Sequence, residues 1–242
     1  MTHLYQKDLA AAHAAGFAGL SLAGGTVVLE ALRAAGLDHG RIVDLGCGSG
    51  EWVHRAVVHG FDAEGVDVSV EMIAIARVRT TSARFTTSSL WDYEITGPAV
   101  AVTAFGEALT YGAPALPDSA DLRALCRHVS AALVQGGVFV FDVILAGEPM
   151  RYRNWTDASG HTILVDVQED PAASTLTRSI TVFAREGTTF RRSDERHVVR
   201  VYEQRDIEQA LASAGFSWTT VQAYGDVALG PRRLAFVARR AG

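Results

Sequence analysis

An apolar run that ends in a glycine-rich turn and opens into a helix pattern governs how this chain can fold: residues 41–52 read RIVDLGCGSGEW. Gly46, Gly48 and Gly50 allow a sharp turn and a close ligand approach, and the helix that follows presents unpaired N–H groups at its start. A dinucleotide fingerprint has its third glycine three residues after the second, whereas position 51 is Glu and the spacing here is G-x-G-x-G. The spacing disfavours a nicotinamide cofactor. Asp44, at the end of the run, is placed to orient the loop or to accept from an ammonium group. Asp67 closes the next run, 17 residues beyond Gly50, where a carboxylate can grip both hydroxyls of a ribose.

Apolar runs at 41–45, 62–67, 99–104 and 138–144 alternate with helix-compatible segments, which predicts a parallel sheet. Helices are expected from Glu51 to His59, stopped by Gly60; from the N-cap Ser69 to Arg79; from Pro117 and Asp118 to about Leu133; and from Glu203 to Ala214, stopped by Gly215. Strands are expected near 217–224 and 233–239. Between 160 and 202 the periodicity shortens to β-branched runs broken by Pro171 and Gly187, the pattern of an antiparallel lobe of three strands or more.

With 242 residues, 48% of them apolar, the chain can bury one substantial core. A net charge of −5 offers no basic face for a phosphate backbone, so nucleic acid is not an expected partner. Cys47 and Cys126 have no metal-ligand spacing and build no disulfide framework, which suits the cytoplasm, and no metal is expected. Residues 9–32 are rich in Ala, Leu and Gly, but His13, Glu30 and Arg33 interrupt or flank them; this reads as helical packing, with no membrane partner.

VDLGCGSG, followed by GVDVS with Met72 three residues past Ser69, resembles the first two motifs of class I S-adenosylmethionine-dependent methyltransferases. The resemblance implies S-adenosylmethionine as cofactor and S-adenosylhomocysteine as product. It implies that Gly46, Cys47 and Gly48 cradle the methionine and ribose portion, that Asp67 holds the ribose, and that Val68 and Met72 flank adenine. SSLWDYEI, 88–95, resembles the next element of the family. Ser88, Ser89 and Leu90 are its cofactor candidates, with Ser89 standing where the family commonly has an acid, so the adenine contact rests on a hydroxyl and the Leu90 amide. Trp91 is read as core. The fourth run ends at Phe105, a further cofactor candidate, and leads into GEALTYG without the N/D/S-P-P-Y/F/W motif of enzymes that methylate base amines.

The whole pattern is similar to the small-molecule branch, glycine N-methyltransferase-like and deoxysugar amine N-methyltransferase-like enzymes. It implies an α/β fold: a Rossmann-like, doubly wound, mostly parallel seven-stranded sheet with an N-terminal helical cap and a small antiparallel β insertion. The expected division is 1–147 with 203–242 as the cofactor domain, carrying a lid over about 1–35, and 148–202 as an insertion over the substrate site. The expected activity is N- or O-methylation of a small metabolite by a monomer or homodimer. The alternatives are a cofactor-binding protein that catalyses a non-methylating reaction or regulates and, behind it, a nicotinamide-dependent oxidoreductase.

By the same resemblance, Tyr5 or His13 closes over the cofactor's carboxylate. His13 and Phe17 lie four residues apart on one helical face, with Phe17 read as core and His13 as lid or packing residue. His13, Glu107 and Tyr111 are the candidates for a base or substrate orienter. Glu107 is read alternatively as a binder of a cationic amine or as a charge at the start of the next helix. Arg151, Tyr152, Arg153, Trp155, His161 and His197 are available on the insertion, mostly as a solvated face. Trp155 and Trp218 are read as packing, and Arg191, Arg192, Asp194, Glu195 and Arg196 as an exposed strand or turn of mixed sign.

Overall fold

The computed structural model describes residues 4–16, 18–112, 119–158 and 160–241. Phe17, Pro117 and Asp118, named above, lie outside them. Five strands run parallel in the main sheet: β1 (Arg41–Leu45), β2 (Asp62–Asp67), β3 (Arg84–Thr87), β4 (Ala99–Ala104) and β5 (Leu133–Ile144). Helices α3 (Glu51–Val58), α4 (Val70–Arg79) and α5 (Ser119–Ala132) alternate with them, and α1 (Lys7–Gly16) and α2 (Ala18–Ala34) precede them. A four-stranded antiparallel sheet follows: β6 (Arg151–Ala158), β7 (His161–Asp170), β8 (Thr175–Glu186) and β9 (Thr189–Arg200). The chain then returns through α6 (Gln204–Ser213) to β10 (Phe216–Val221), a small hairpin of β11 (Ala223–Tyr224) and β12 (Val227–Ala228), and β13 (Arg233–Arg240). The seven-stranded sheet has the order β10-β13-β5-β4-β1-β2-β3, with β13 antiparallel to both neighbours.

The central strands carry apolar side chains on both faces because helices cover both. On one face Val43, Leu45 and Phe141 pack with Leu122 and Val129 of α5 and Ile207 and Leu211 of α6. On the other, Ile42, Ala101 and Val140 meet Val28 and Leu32 of α2, Trp52 and Val53 of α3, and Ile73 of α4. Ser69 caps α4 as its sequence signal predicts, accepting from the Met72 N–H at 3.1 Å. A third, smaller core joins α1 to the antiparallel sheet: Leu9 and Ala12 of α1 pack with Ile163, Ile180 and Val182 of β7 and β8. Among the described residues no single helix is long and apolar enough to cross a membrane.

Several expectations need correction. Arg84–Thr87 forms a strand that was not anticipated, since four residues are too few to display an alternation. Leu133 opens β5 instead of closing α5. Residues 223–224 belong to the hairpin, not to the preceding strand. The antiparallel sheet begins at Arg151, ahead of the β-branched run, because β6 is an exposed edge with no apolar face to betray it. Trp155 on that edge is 66% exposed, so it is not a packing residue, whereas Trp218 does pack against the main core.

Candidate functional site

The order of strands reverses between β1 and β4, and a cleft opens above the carboxyl ends of β1, β2 and β4, where doubly wound sheets hold ligands. The cleft is open at its mouth, and the space within it and the mouth together is about 1050 Å³. Gly46 and Gly48 form its floor, Asp67, Val68 and Met72 one side, Ser88, Ser89, Leu90 and Trp91 the far end. Leu4, Tyr5 and His13 of the N-terminal segment, with Phe105, Gly106, Ala108, Tyr111 and Gly112, complete it.

Asp67 organises the floor. Its Oδ2 accepts from the Gly48 N–H at 2.9 Å and its Oδ1 from the Ser69 N–H at 2.8 Å, so the carboxylate ties the glycine turn to the start of α4. Burial raises its pKa, against the lowering by the N–H groups of Ser69, Gly48 and Val68. Gly48 has φ of +54°, and a Cβ added to it would meet no protein atom within 4 Å. Only a glycine both adopts that backbone comfortably and leaves the floor bare. At the far end Ser89 Oγ accepts from the Trp91 N–H at 3.2 Å, and the Trp91 indole N–H donates to the Tyr111 carbonyl at 2.7 Å. Trp91 therefore both packs on the core and faces the cleft.

On the opposite side, Tyr5 and Tyr111 hydroxyls stand 3.3 Å apart, and Arg178 of β8 donates to the Tyr111 oxygen at 3.1 Å. Burial, then Tyr111, push the Tyr5 phenol well above its ordinary pKa. The His13 ring meets the Tyr5 ring edge-on at 5.2 Å. Burial lowers its pKa, partly offset by Glu51, so the imidazole is neutral near pH 7.

Three candidates do not line the cleft. Asp44 is 3% exposed and accepts from the Thr103 hydroxyl at 2.6 Å, which in turn accepts from the Trp52 indole at 3.1 Å. Cys47 is buried, with its main-chain N–H on the Val66 carbonyl at 2.9 Å and its sulfur packed beside Gly65. Glu107, at a left-handed φ of 63°, makes no side-chain cap to the turn after it; its carboxylate pairs with Arg178 at 2.5 Å and Arg233 at 3.1 Å. Those two guanidiniums pair the charge that a base or an amine binder needs. Conversely, Arg178 and Arg233 escaped the sequence reading, and Glu195 and His197 were read as part of an exposed or solvated face. Only the outward half of the mixed-charge stretch is exposed: Glu195 and His197 are buried, 8% and 0% exposed. Their spacing of two, on one face of a strand, was the available signal.

Burial carries the Asp44 carboxyl to about 7, with Asp67 and Glu51 adding to it and the Thr103 hydrogen bond opposing. The unfolded chain, with a carboxyl at about 3.9, therefore loses this proton first, and folding stability falls as pH rises from about 4 to about 7. By linkage the loss amounts to about 4 kcal/mol. Asp44→Asn removes its share of that slope; ligand-free melting curves between pH 5 and 8 should fall more steeply for the parent than for the variant, and parallel profiles would refute the assignment.

Residues 42–137 match the family of methyltransferase domains. A Bacillus subtilis (strain 168) protein, YqeM, whose name carries a provisional methyltransferase assignment, is 27% identical over 194 residues, 77% of each chain. Among solved structures, S-adenosylmethionine-bound CalS10, an amino pentose methyltransferase from Micromonospora echinaspora, superposes over 100% of both chains with a TM-score of 0.76 at 21% identity. The sugar N-methyltransferase KedS8 from Streptoalloteichus sp ATCC 53650 does so with a TM-score of 0.74 at 23% identity, over 94% of this chain and 90% of its own. The fold is the doubly wound one of these solved methyltransferases. Within 42–137 the chain is similar to methyltransferase domains, and its fold is similar to that of CalS10, whose structure holds S-adenosylmethionine.

The cleft fits that cofactor. Each oxygen of Asp67 has a lone pair left after its backbone bond, enough for a ribose diol, and the bare Gly48 leaves space beside it. Val68, Met72 and Leu90 offer apolar walls to a purine. Among the described residues no group of three His, Cys, Asp or Glu side chains is arranged to hold a metal ion.

Proposed function

We propose that this protein methylates a nitrogen or oxygen of a small acceptor that reacts as a neutral amine or hydroxyl, an amino sugar or a molecule of similar size. The observation that carries the reading is the junction of two unlike halves in one cleft: Asp67 and Gly48 on one side, the hydroxyls of Tyr5 and Tyr111 with the neutral His13 on the other. The charges behind Tyr111 are paired with one another through Glu107, so among the described residues this wall offers hydroxyls and aromatic faces to the acceptor and no unpaired carboxylate.

When bound, the cofactor supplies an activated methyl group on a sulfonium, and in-line displacement then depends chiefly on position and dryness. Asp67 holds the ribose, Val68, Met72 and Leu90 enclose the purine, and Ser89 with the Leu90 amide meets its polar edge. Tyr5 and His13 close over the carboxylate end. Tyr111, its oxygen already accepting from Arg178, has its own proton to donate and orients the acceptor. The neutral imidazole of His13 can take the proton that an amine or hydroxyl must lose. KedS8 is described as a sugar N-methyltransferase and CalS10 as an amino pentose methyltransferase, so amino sugars are the first acceptors to try.

Incubation with methyl-labelled S-adenosylmethionine and a panel of amino sugars, free amines and phenols should yield a labelled product and stoichiometric S-adenosylhomocysteine. Cofactor binding without turnover across amines and hydroxyls alike would reject the acceptor class; no binding by calorimetry would reject the site.

A further inference from the structure

The start of the lid is anchored by a residue far from it in sequence. Glu195 on β9 accepts the Tyr5 N–H at 2.8 Å with Oε2 and the Gln6 N–H at 2.9 Å with Oε1, across 190 residues of chain. These N–H groups lie just ahead of α1, where a helix lacks internal partners and favours a negative charge. The antiparallel sheet provides the acceptor for both. Oε2 also lies 2.9 Å from His197 Nε2, and a carboxylate there makes that nitrogen the N–H donor, so the 8% exposed carboxylate meets three donors.

The same peptide is held from the other side. The Tyr5 carbonyl accepts from Ser69 Oγ at 2.8 Å, and Ser69 gives its N–H to Asp67. Tyr5 sits at φ of 51°, a left-handed conformation that costs a non-glycine residue and persists only where neighbours impose it. Its ring rests 5.1 Å from the His197 ring, and its hydroxyl reaches Tyr111. A second link, the Asp8–Arg191 ion pair, runs from the first turn of α1 to the same strand. Thus one carboxylate sets the position of the residue that touches both halves of the cleft.

We propose that Glu195 is a positioning residue for methyl transfer: by clamping the Tyr5 and Gln6 amides it holds Tyr5 over the cofactor site and couples the insertion to the Asp67–Ser69 turn. The inference rests on the methyltransferase reading for the identity of the ligand and on the clamp's geometry for the rest. Its consequence is kinetic. Leu4, Tyr5 and His13 form one wall of the cleft, so loosening their anchor shortens the residence of the product S-adenosylhomocysteine.

The test uses the full chain with Glu195→Ala and Glu195→Gln. Hydrogen exchange at the Tyr5 and Gln6 amides is followed without ligand, and S-adenosylhomocysteine affinity and dissociation are followed by calorimetry and stopped-flow fluorescence. Losing two net hydrogen bonds should weaken the alanine variant by about tenfold, expressed as faster dissociation and matched by faster exchange at both amides. Glu195→Gln, which keeps one acceptor oxygen, should fall between, and it carries the test should the alanine variant not fold. Unchanged affinity, or weaker affinity with both amides as protected as before, overturns the proposal. If the parent binds neither S-adenosylmethionine nor S-adenosylhomocysteine, the methyltransferase reading has failed, and amide exchange in the ligand-free variants still decides the clamp.

Discussion

Asp67→Ala should weaken S-adenosylmethionine binding by about 100-fold or more, from hydrogen bonds to a charged group worth roughly 1.5–3 kcal/mol each. The ribose contact alone, which is all the motif reveals, accounts for roughly 1 to 3 kcal/mol. The structure adds a second loss. The carboxylate also accepts the N–H groups of Gly48 and Ser69, and removing it leaves both donors without a partner, so the floor of the cleft relaxes as the ligand contact disappears. Asp67→Asn, which keeps one oxygen but turns a donor toward one of the two N–H groups, should fall between. Calorimetric titration with S-adenosylhomocysteine measures the same site without turnover, and an affinity within about threefold of the parent, less than one net hydrogen bond, would reject the role given to Asp67.

Glu107→Ala should have the largest effect on stability. Its carboxylate bridges Arg178 and Arg233, and Arg233 in turn pairs with the buried Asp142. Deleting one partner of a fully buried pair costs about 3–5 kcal/mol because the remaining charges stay where they are; these three side chains are part-buried, which puts the cost at the lower end, about 3 kcal/mol. In a chain of this size that lowers the melting midpoint by roughly 10 °C. Arg178 would also lose the partner that steadies it against the Tyr111 hydroxyl, so the acceptor wall loosens with the fold. A variant that melts like the parent but turns over far more slowly would instead restore Glu107 as a base, the role its place after β4 suggests.

These two residues mark how far the sequence was legible. Asp67 was readable because its partners are local: a strand end, a glycine turn and a helix start, all within the segment 44–72, whose spacing fixes their geometry. The same holds for Ser69 as helix cap and for the run from Ser88 to Leu90. Glu107 was misread because its partners, on β8 and β13, are far away in the chain and look like ordinary surface arginines. Position after a strand suggested an available carboxylate; only the neighbours reveal that it is neutralised.

The lid shows the same limit. Tyr5 and His13 were recognisable as candidates, yet nothing in the first sixteen residues indicates that Glu195 anchors them, because the alternating charges around it read as a solvated strand. By itself the sequence determined the doubly wound sheet, the glycine turn and the acid that closes β2, since backbone conformation and burial period are local properties of the chain. The tertiary structure alone decided which charges are paired, which face of β9 is buried and which wall of the cleft holds the hydroxyls. Those depend on residues brought together across most of the chain's length, and a carboxylate's chemistry is set by what stands within hydrogen-bond reach of it.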